Sequence, residues 1–149
     1  MRKIEKIIVH CAATPEGREH NAEDICRWHK ERGFRKIGYH YVIKIDGTVE
    51  FGRKNESGAH TKNHNHNSIG ICYIGGCDKN MKAKDTRTEA QKNSLLILLY
   101  QLLELYPDAI IYGHRDFANK DCPSFDAKIE YANLRELSKS EIIKKEKRT

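Results

Sequence analysis

Between Thr88 and Pro107 the chain encodes a helix that cannot stand alone. Thr88-Glu89-Ala90-Gln91 is a reciprocal capping pattern: the threonine hydroxyl accepts the N3 backbone N–H while the glutamine side chain reaches back to the N-cap N–H. Leu95, Leu98, Leu99, Leu102 and Leu103 follow at three- and four-residue intervals, and Pro107 stops the helix. An apolar stripe this broad has to be buried against a second layer.

The remaining apolar residues fall in short β-branched runs, so the second layer is a sheet. Residues 4–10 (IEKIIVH) read as a buried strand, and 39–45 as another. Asp46-Gly47 is a hairpin turn signal that returns the chain through 48–52. Residues 68–75 (SIGICYIG) form a further strand ending in a Gly-Gly break, and 109–113 a short one. Asn21 with Asp24 opens a helix carrying Ala22, Ile25, Trp28 and His29, which Gly33 closes. A last amphipathic helix is expected around Ile129, Leu134 and Leu137. Residues 53–67, rich in Asn, His and Gly, read as a long surface loop. The order strand, helix, hairpin, strand, helix, strand, helix predicts an α/β (mixed α+β) single domain over 1–138, with a central mixed sheet of about five strands flanked by helices. A wholly antiparallel sheet is the alternative.

Length and charge narrow the function classes. A chain of 149 residues makes one domain large enough to bury a core without disulfides. The five cysteines are odd in number and show no paired Cys-x-x-Cys spacing, so reduced thiols are expected. The net charge is +6, but residues 139–149 hold five positive and two negative side chains, a tail of +3 that leaves +3 for the domain. That is too thin a basic surface for a nucleic-acid binder, and no nucleic-acid partner is expected. No apolar run approaches the ~20 residues needed to span a bilayer, and Ile7-Ile8-Val9 is too short for a secretory signal. We expect cytoplasmic synthesis without a signal peptide, no membrane insertion, and a monomer.

Three metal-ligand residue types stand where strands give way to loops. His10 ends the first strand, His114 ends the last, and Cys122 follows in the adjoining loop. Two imidazoles and a thiolate make a three-ligand Zn²⁺ set that leaves a fourth position for water or substrate. Zinc there would polarise a carbonyl and lower the pKa of a water, chemistry suited to amide hydrolysis. Lys120, two residues before Cys122, could donate to an oxyanion, and Tyr39 could hydrogen-bond the same group. Each residue also has an ordinary reading, as a surface histidine, a buried thiol or a snorkelling lysine, and spacing does not show that 10, 114 and 122 converge. His60, His64 and His66 form a rival cluster within the polar loop, better suited to lining a wet groove than to a built metal site. Strand alternation points Cys11 away from His10, and Cys26, Cys72 and Cys77 read as structural.

Taken together, IIVHCAAT, GYHYVIKIDGTVEFGR, GAHTKNHNHNSIGICYIGG, TEAQKNSLLILLYQLL, IIYGHRDF and NKDCPSFDA resemble the zinc-dependent N-acetylmuramoyl-L-alanine amidases of type 2. That family includes phage lysozymes that are chemically amidases and shares its fold with animal peptidoglycan-recognition proteins. The resemblance spans about residues 4–137. It implies His10, His114 and Cys122 as zinc ligands, Lys120 and Tyr39 as catalytic residues, and His60 as a substrate contact. It also implies cleavage of the amide between N-acetylmuramic acid and the L-alanine of the stem peptide. With no signal of its own, a phage or prophage endolysin would reach its peptidoglycan partner once the membrane is permeabilised. The alternatives are a non-catalytic peptidoglycan-binding module and a cytoplasmic amidase that recycles anhydromuropeptides.

Overall fold

A computed structural model describes residues 2–137 and 141–142. Among the described residues the elements are β1 (Lys6–Cys11), β2 (Thr14–Pro15), α1 (Ala22–Glu31), β3 (Tyr41–Ile43), β4 (Val49–Phe51), β5 (Ser68–Tyr73), β6 (Gly76–Cys77), α2 (Glu89–Leu105), β7 (Ile110–Gly113) and α3 (Ala127–Glu130), in the expected order apart from the two short additions β2 and β6. The main sheet has strand order β4-β3-β5-β1-β7. β3, β5, β1 and β7 run parallel, and β4 pairs antiparallel with β3 at the edge. The sheet is therefore mixed, and the antiparallel alternative does not hold. β2 and β6 form a separate two-residue parallel pair at the Gly-Gly break, too short to leave a periodic signal in the sequence.

Helices cover both faces, as parallel strands require. Ile7 and Val9 on one face of β1 pack with Leu95, Leu98, Leu99, Leu102 and Leu103 of α2 in the larger core cluster. On the opposite face Val42 and Cys72 meet Ile25 of α1. Both helices begin as the sequence implies, with reciprocal capping boxes at Asn21/Asp24 and Thr88/Gln91. Gln91 goes further. It is fully buried, and its Nε2 donates to the carbonyls of Ile43 and Ile74 at 3.2 and 2.9 Å, joining the helix start to the ends of two parallel strands.

The last helix departs from expectation. Instead of one amphipathic helix there is the single turn of α3 and a separate 3-10 turn at Leu134–Glu136, and Ile129 is 74% exposed. The core-facing residues here are Ala127, Tyr131 and Leu134, and the Tyr131 hydroxyl accepts a hydrogen bond from Arg87 where the turn of α3 ends. Of the tail expected over 139–149 only residues 141 and 142 are described, and Ile142 is buried in the larger cluster. No helix among the described residues is long and apolar enough to cross a membrane.

Arg87 ties this C-terminal segment to the rest. Its guanidinium, 3.4 Å over the Phe125 ring, forks onto Asp85 and Glu130 and donates to the Tyr131 hydroxyl at 2.8 Å. Both carboxylates are partly exposed and can rehydrate when the cation is removed. Arg87→Ala is therefore expected to cost about 2–3 kcal/mol, less than the ~3–5 kcal/mol of a fully buried pair. Urea unfolding measures this, and a loss under about 0.5 kcal/mol, typical of a surface change, would contradict it.

Candidate metal and active site

Parallel neighbours end on the same side of a sheet, and loops leaving those carboxyl ends enclose a crevice. β1 pairs with β7 in the register Val9↔Gly113, so the next residues, His10 and His114, emerge together. His10 is fully buried, and its Nδ1 stands 3.1 Å from His114 Nδ1. The loop after β7 returns Cys122, whose Sγ is 4.0 Å from His10 Nδ1 and accepts the Cys11 N–H at 3.2 Å. The Cys122 carbonyl accepts the Arg115 N–H at 2.8 Å, which fixes this return.

Among the described residues this is the one group of three histidine, cysteine or acidic side chains close enough to hold a metal ion, with donor atoms all within 4.8 Å of one another. Tetrahedral zinc at ~2.0–2.1 Å from nitrogen and ~2.3 Å from sulfur asks for N···N near ~3.4 Å and N···S near ~3.6 Å, against 3.1 Å and 4.0 Å from His10 Nδ1 to its two partners. The donor chemistry also fits. Burial, followed by the neighbouring His60, His114 and Lys120 charges, holds His10 well below the ordinary histidine range. Burial and then Lys120 lower His114 to about 4. Both imidazoles are thus neutral near pH 7 and offer lone pairs. The thiols of Cys11 and Cys122 contact each other and ionise as a pair: the Cys122 hydrogen bond draws Cys11 down to about 7, while the same contact and burial drive Cys122 up. A cation bound at Cys122 Sγ would reverse that preference, because a coordinating thiol loses its proton.

The site opens into a cleft of about 660 Å³ lined in part by Tyr39, His60, His114, Lys120 and Cys122. The Tyr39 ring lies 5.0 Å from the His10 ring. Burial raises its phenol well above the usual tyrosine range, so it stays protonated and is a donor. Lys120 is exposed on the cleft rim, near enough that its charge depresses both histidines. His60 lies behind His10, its Nδ1 2.9 Å from His10 Nε2, and also borders the cleft. Of the rival histidine cluster, His64 stacks on Phe117 at 4.1 Å and does not join His60 in a ligand set. Cys11 does pack on the far face of β1, with Ile7 and Val9, yet its amide and thiol both touch Cys122.

A family model for N-acetylmuramoyl-L-alanine amidase matches residues 1–125. The chain belongs to this family. The endolysin of Enterobacteria phage T3 is 47% identical over 125 residues, covering 83% of each chain, and that of Escherichia phage T7 is 47% identical over 123 residues, covering 82% of each. Among solved structures, the N-acetylmuramoyl-L-alanine amidase LysC from Clostridium intestinale superposes with a TM-score of 0.76 at 26% identity, over 90% of this chain and 85% of that one. The ectodomain complex of peptidoglycan recognition proteins LCa and LCx, solved with tracheal cytotoxin, gives 0.74 at 26% identity, over 93% and 86%.

The amidase cleft is also lined by His29 of α1 and Asn65 of the polar loop, to which no site role attaches from sequence. His29 is buried, its Nδ1 accepts the Gly38 N–H at 2.9 Å, and its ring faces Tyr39. A histidine four residues after Ile25 on the buried face of α1 was the available signal. Asn65 accepts the N–H groups of His60 and Thr61, both at 2.9 Å, and so shapes the loop wall.

Three neutral histidines, His29 buried and His60 and His114 half-buried, set a pH dependence. Burial lowers His29 to about 4, His60 to about 3 and His114 to about 4, from an ordinary 6.5. Between pH 6.5 and 4 the unfolded chain binds protons that the folded chain refuses. Stability of the metal-free amidase is therefore full above pH 6.5 and falls as pH drops toward 4. Urea midpoints at pH 7 and pH 5 in chelator measure this; equal midpoints would contradict it.

Proposed function

We propose that this amidase is a zinc-dependent endolysin that hydrolyses the amide between the lactyl group of N-acetylmuramic acid and the L-alanine of the stem peptide. The observation that carries the reading is the convergence of His10, His114 and Cys122 at the floor of an open cleft. Those three residues would hold the ion, a three-ligand set of the kind that leaves a fourth position for water or substrate. Zinc so bound supplies Lewis acidity toward the scissile carbonyl and makes a water nucleophilic near neutral pH.

The protein's own groups account for the rest. His10 and His114, kept neutral by burial, present lone pairs rather than protons to the ion. The sulfur of Cys122 reduces the positive charge available for catalysis, and the Lys120 ammonium on the rim offsets this where the amide oxygen becomes negative. Tyr39, held in its protonated form, donates a hydrogen bond in the same region and does not act as a base at neutral pH. Arg32, Lys62 and Lys120 give the cleft a cationic rim that suits a stem peptide bearing carboxylates.

Incubation with purified sacculi is expected to release new L-alanine amino termini, with loss on chelation and recovery with zinc. Binding to sacculi without new amino termini would favour a recognition module, and activity confined to soluble anhydromuropeptides a recycling enzyme. Cys122→Ser should abolish stoichiometric zinc uptake and activity while leaving the circular dichroism spectrum unchanged; full activity in this variant would remove the proposed ligand. Lys120→Ala is expected to keep zinc and lose about 10²–10³-fold in kcat, the scale of one oxyanion donor. A loss below tenfold would take Lys120 out of the reaction.

A further inference from the structure

His10 has two ring nitrogens, and the proposed metal chemistry uses one. Its Nδ1 faces His114 and Cys122. Its Nε2 points the other way, 2.9 Å from His60 Nδ1 and 3.3 Å from Thr61 Oγ1. We propose that His60 is a positioning residue for the metal centre: it accepts the hydrogen bond of the His10 Nε2–H, directly or through Thr61, and so holds His10 with its Nδ1 lone pair toward His114 and Cys122. The inference rests on the zinc reading above and assigns His60 a role different from substrate contact.

Donor and acceptor accounting supports this assignment. A neutral imidazole with its lone pair on Nδ1 carries its proton on Nε2. That proton needs an acceptor, since His10 is wholly buried. If it goes directly to His60 Nδ1, that nitrogen is an acceptor and His60 carries its own proton on Nε2. If it goes to Thr61 Oγ1, the threonine hydroxyl donates its own O–H to His60 Nδ1, 2.9 Å away. Both routes end in the same His60 tautomer. Its Nε2–H then points at Ser68 Oγ, 3.3 Å distant. A chain of hydrogen bonds from Ser68 through His60 thus specifies which nitrogen of His10 is free to ligate.

The backbone is shaped around this ring. A Cβ on Gly70 of β5 would lie 2.6–2.8 Å from three atoms of the His60 imidazole, and one on Gly58 would lie 2.6 Å from its Cδ2. Gly70 pairs with Ile8 on β1, two residues before His10, so its missing side chain opens the space beside His10 that the His60 ring fills. The two backbone N–H bonds to Asn65 Oδ1 lock the segment that carries it. A ligating histidine commonly gives its second N–H to a carboxylate or a carbonyl, which increases its basicity. A neutral imidazole in that place orients the ligand while adding no negative charge. That suits a site where Cys122 already lowers the charge on the ion.

The test measures metal rather than turnover. Zinc affinity by chelator competition, and the visible spectrum of the cobalt-substituted protein, are compared for wild type, His60→Ala, His60→Asn and His60→Gln. Asparagine places an acceptor near the Nδ1 position, whereas glutamine reaches toward the Nε2 position. His60→Ala and His60→Gln are expected to bind zinc about 10–100-fold more weakly, with a shifted cobalt band, and His60→Asn to recover most of the loss. If His60→Ala does not fold, the Asn and Gln variants decide, and equal affinity in those two overturns the proposal. So does an alanine variant within twofold of wild type whose change is confined to KM for muropeptide. A wild-type protein that takes up no zinc is a separate result: it overturns the zinc reading, and this inference falls with it.

Discussion

The parallel pairing of β1 with β7 is the contact on which the site depends. Residues 10 and 114 are more than a hundred positions apart, yet the register Val9↔Gly113 brings their imidazole nitrogens to 3.1 Å. A one-residue slip of either strand would turn one of the histidines to the opposite face. The register is held by burial of the face under α2, where Ile7 and Val9 of β1 and Ile111 of β7 pack with its leucines. The leucine stripe of α2, though remote from the cleft, is therefore part of what places the ligands.

The electrostatics follow from the same burial. Histidines taken out of water and set near one another or near Lys120 are poor bases, so they face the cleft as lone-pair donors at neutral pH. The Cys11 amide hydrogen on Cys122 Sγ stabilises charge on that sulfur, and the cationic rim stands where negative charge would develop. The carboxyl end of the sheet thus offers unprotonated ligands inside and positive charge outside, an arrangement suited to polarising a carbonyl group.

Much of the fold was legible because its signals are local. Both capping boxes, the leucine stripe and the Asp46-Gly47 hairpin stand in the sequence as they stand in the structure. The break after Glu130 was not legible, since the apolar residues Ile129, Leu134 and Leu137 suggest a continuing helix and the contacts of Arg87 with Glu130 and Tyr131 at the break are tertiary. The two-residue pair of β2 and β6 lies below the length at which periodicity speaks. At the site, residue types and strand-end positions singled out His10, His114 and Cys122, but their convergence is a non-local fact that spacing does not contain. The link from His60 to His10 was hidden for a different reason: the loop that carries it reads as solvated, and nothing in GAHTKNHNHNS tells that one of its histidines turns inward over a glycine.

X-ray absorption at the zinc edge of the purified, zinc-loaded protein tests the central claim most directly. One ion per chain, with two nitrogen scatterers at ~2.0–2.1 Å, one sulfur at ~2.3 Å and one further light atom, is the result this account predicts. A first shell without sulfur, or no stoichiometric zinc at all, would contradict it.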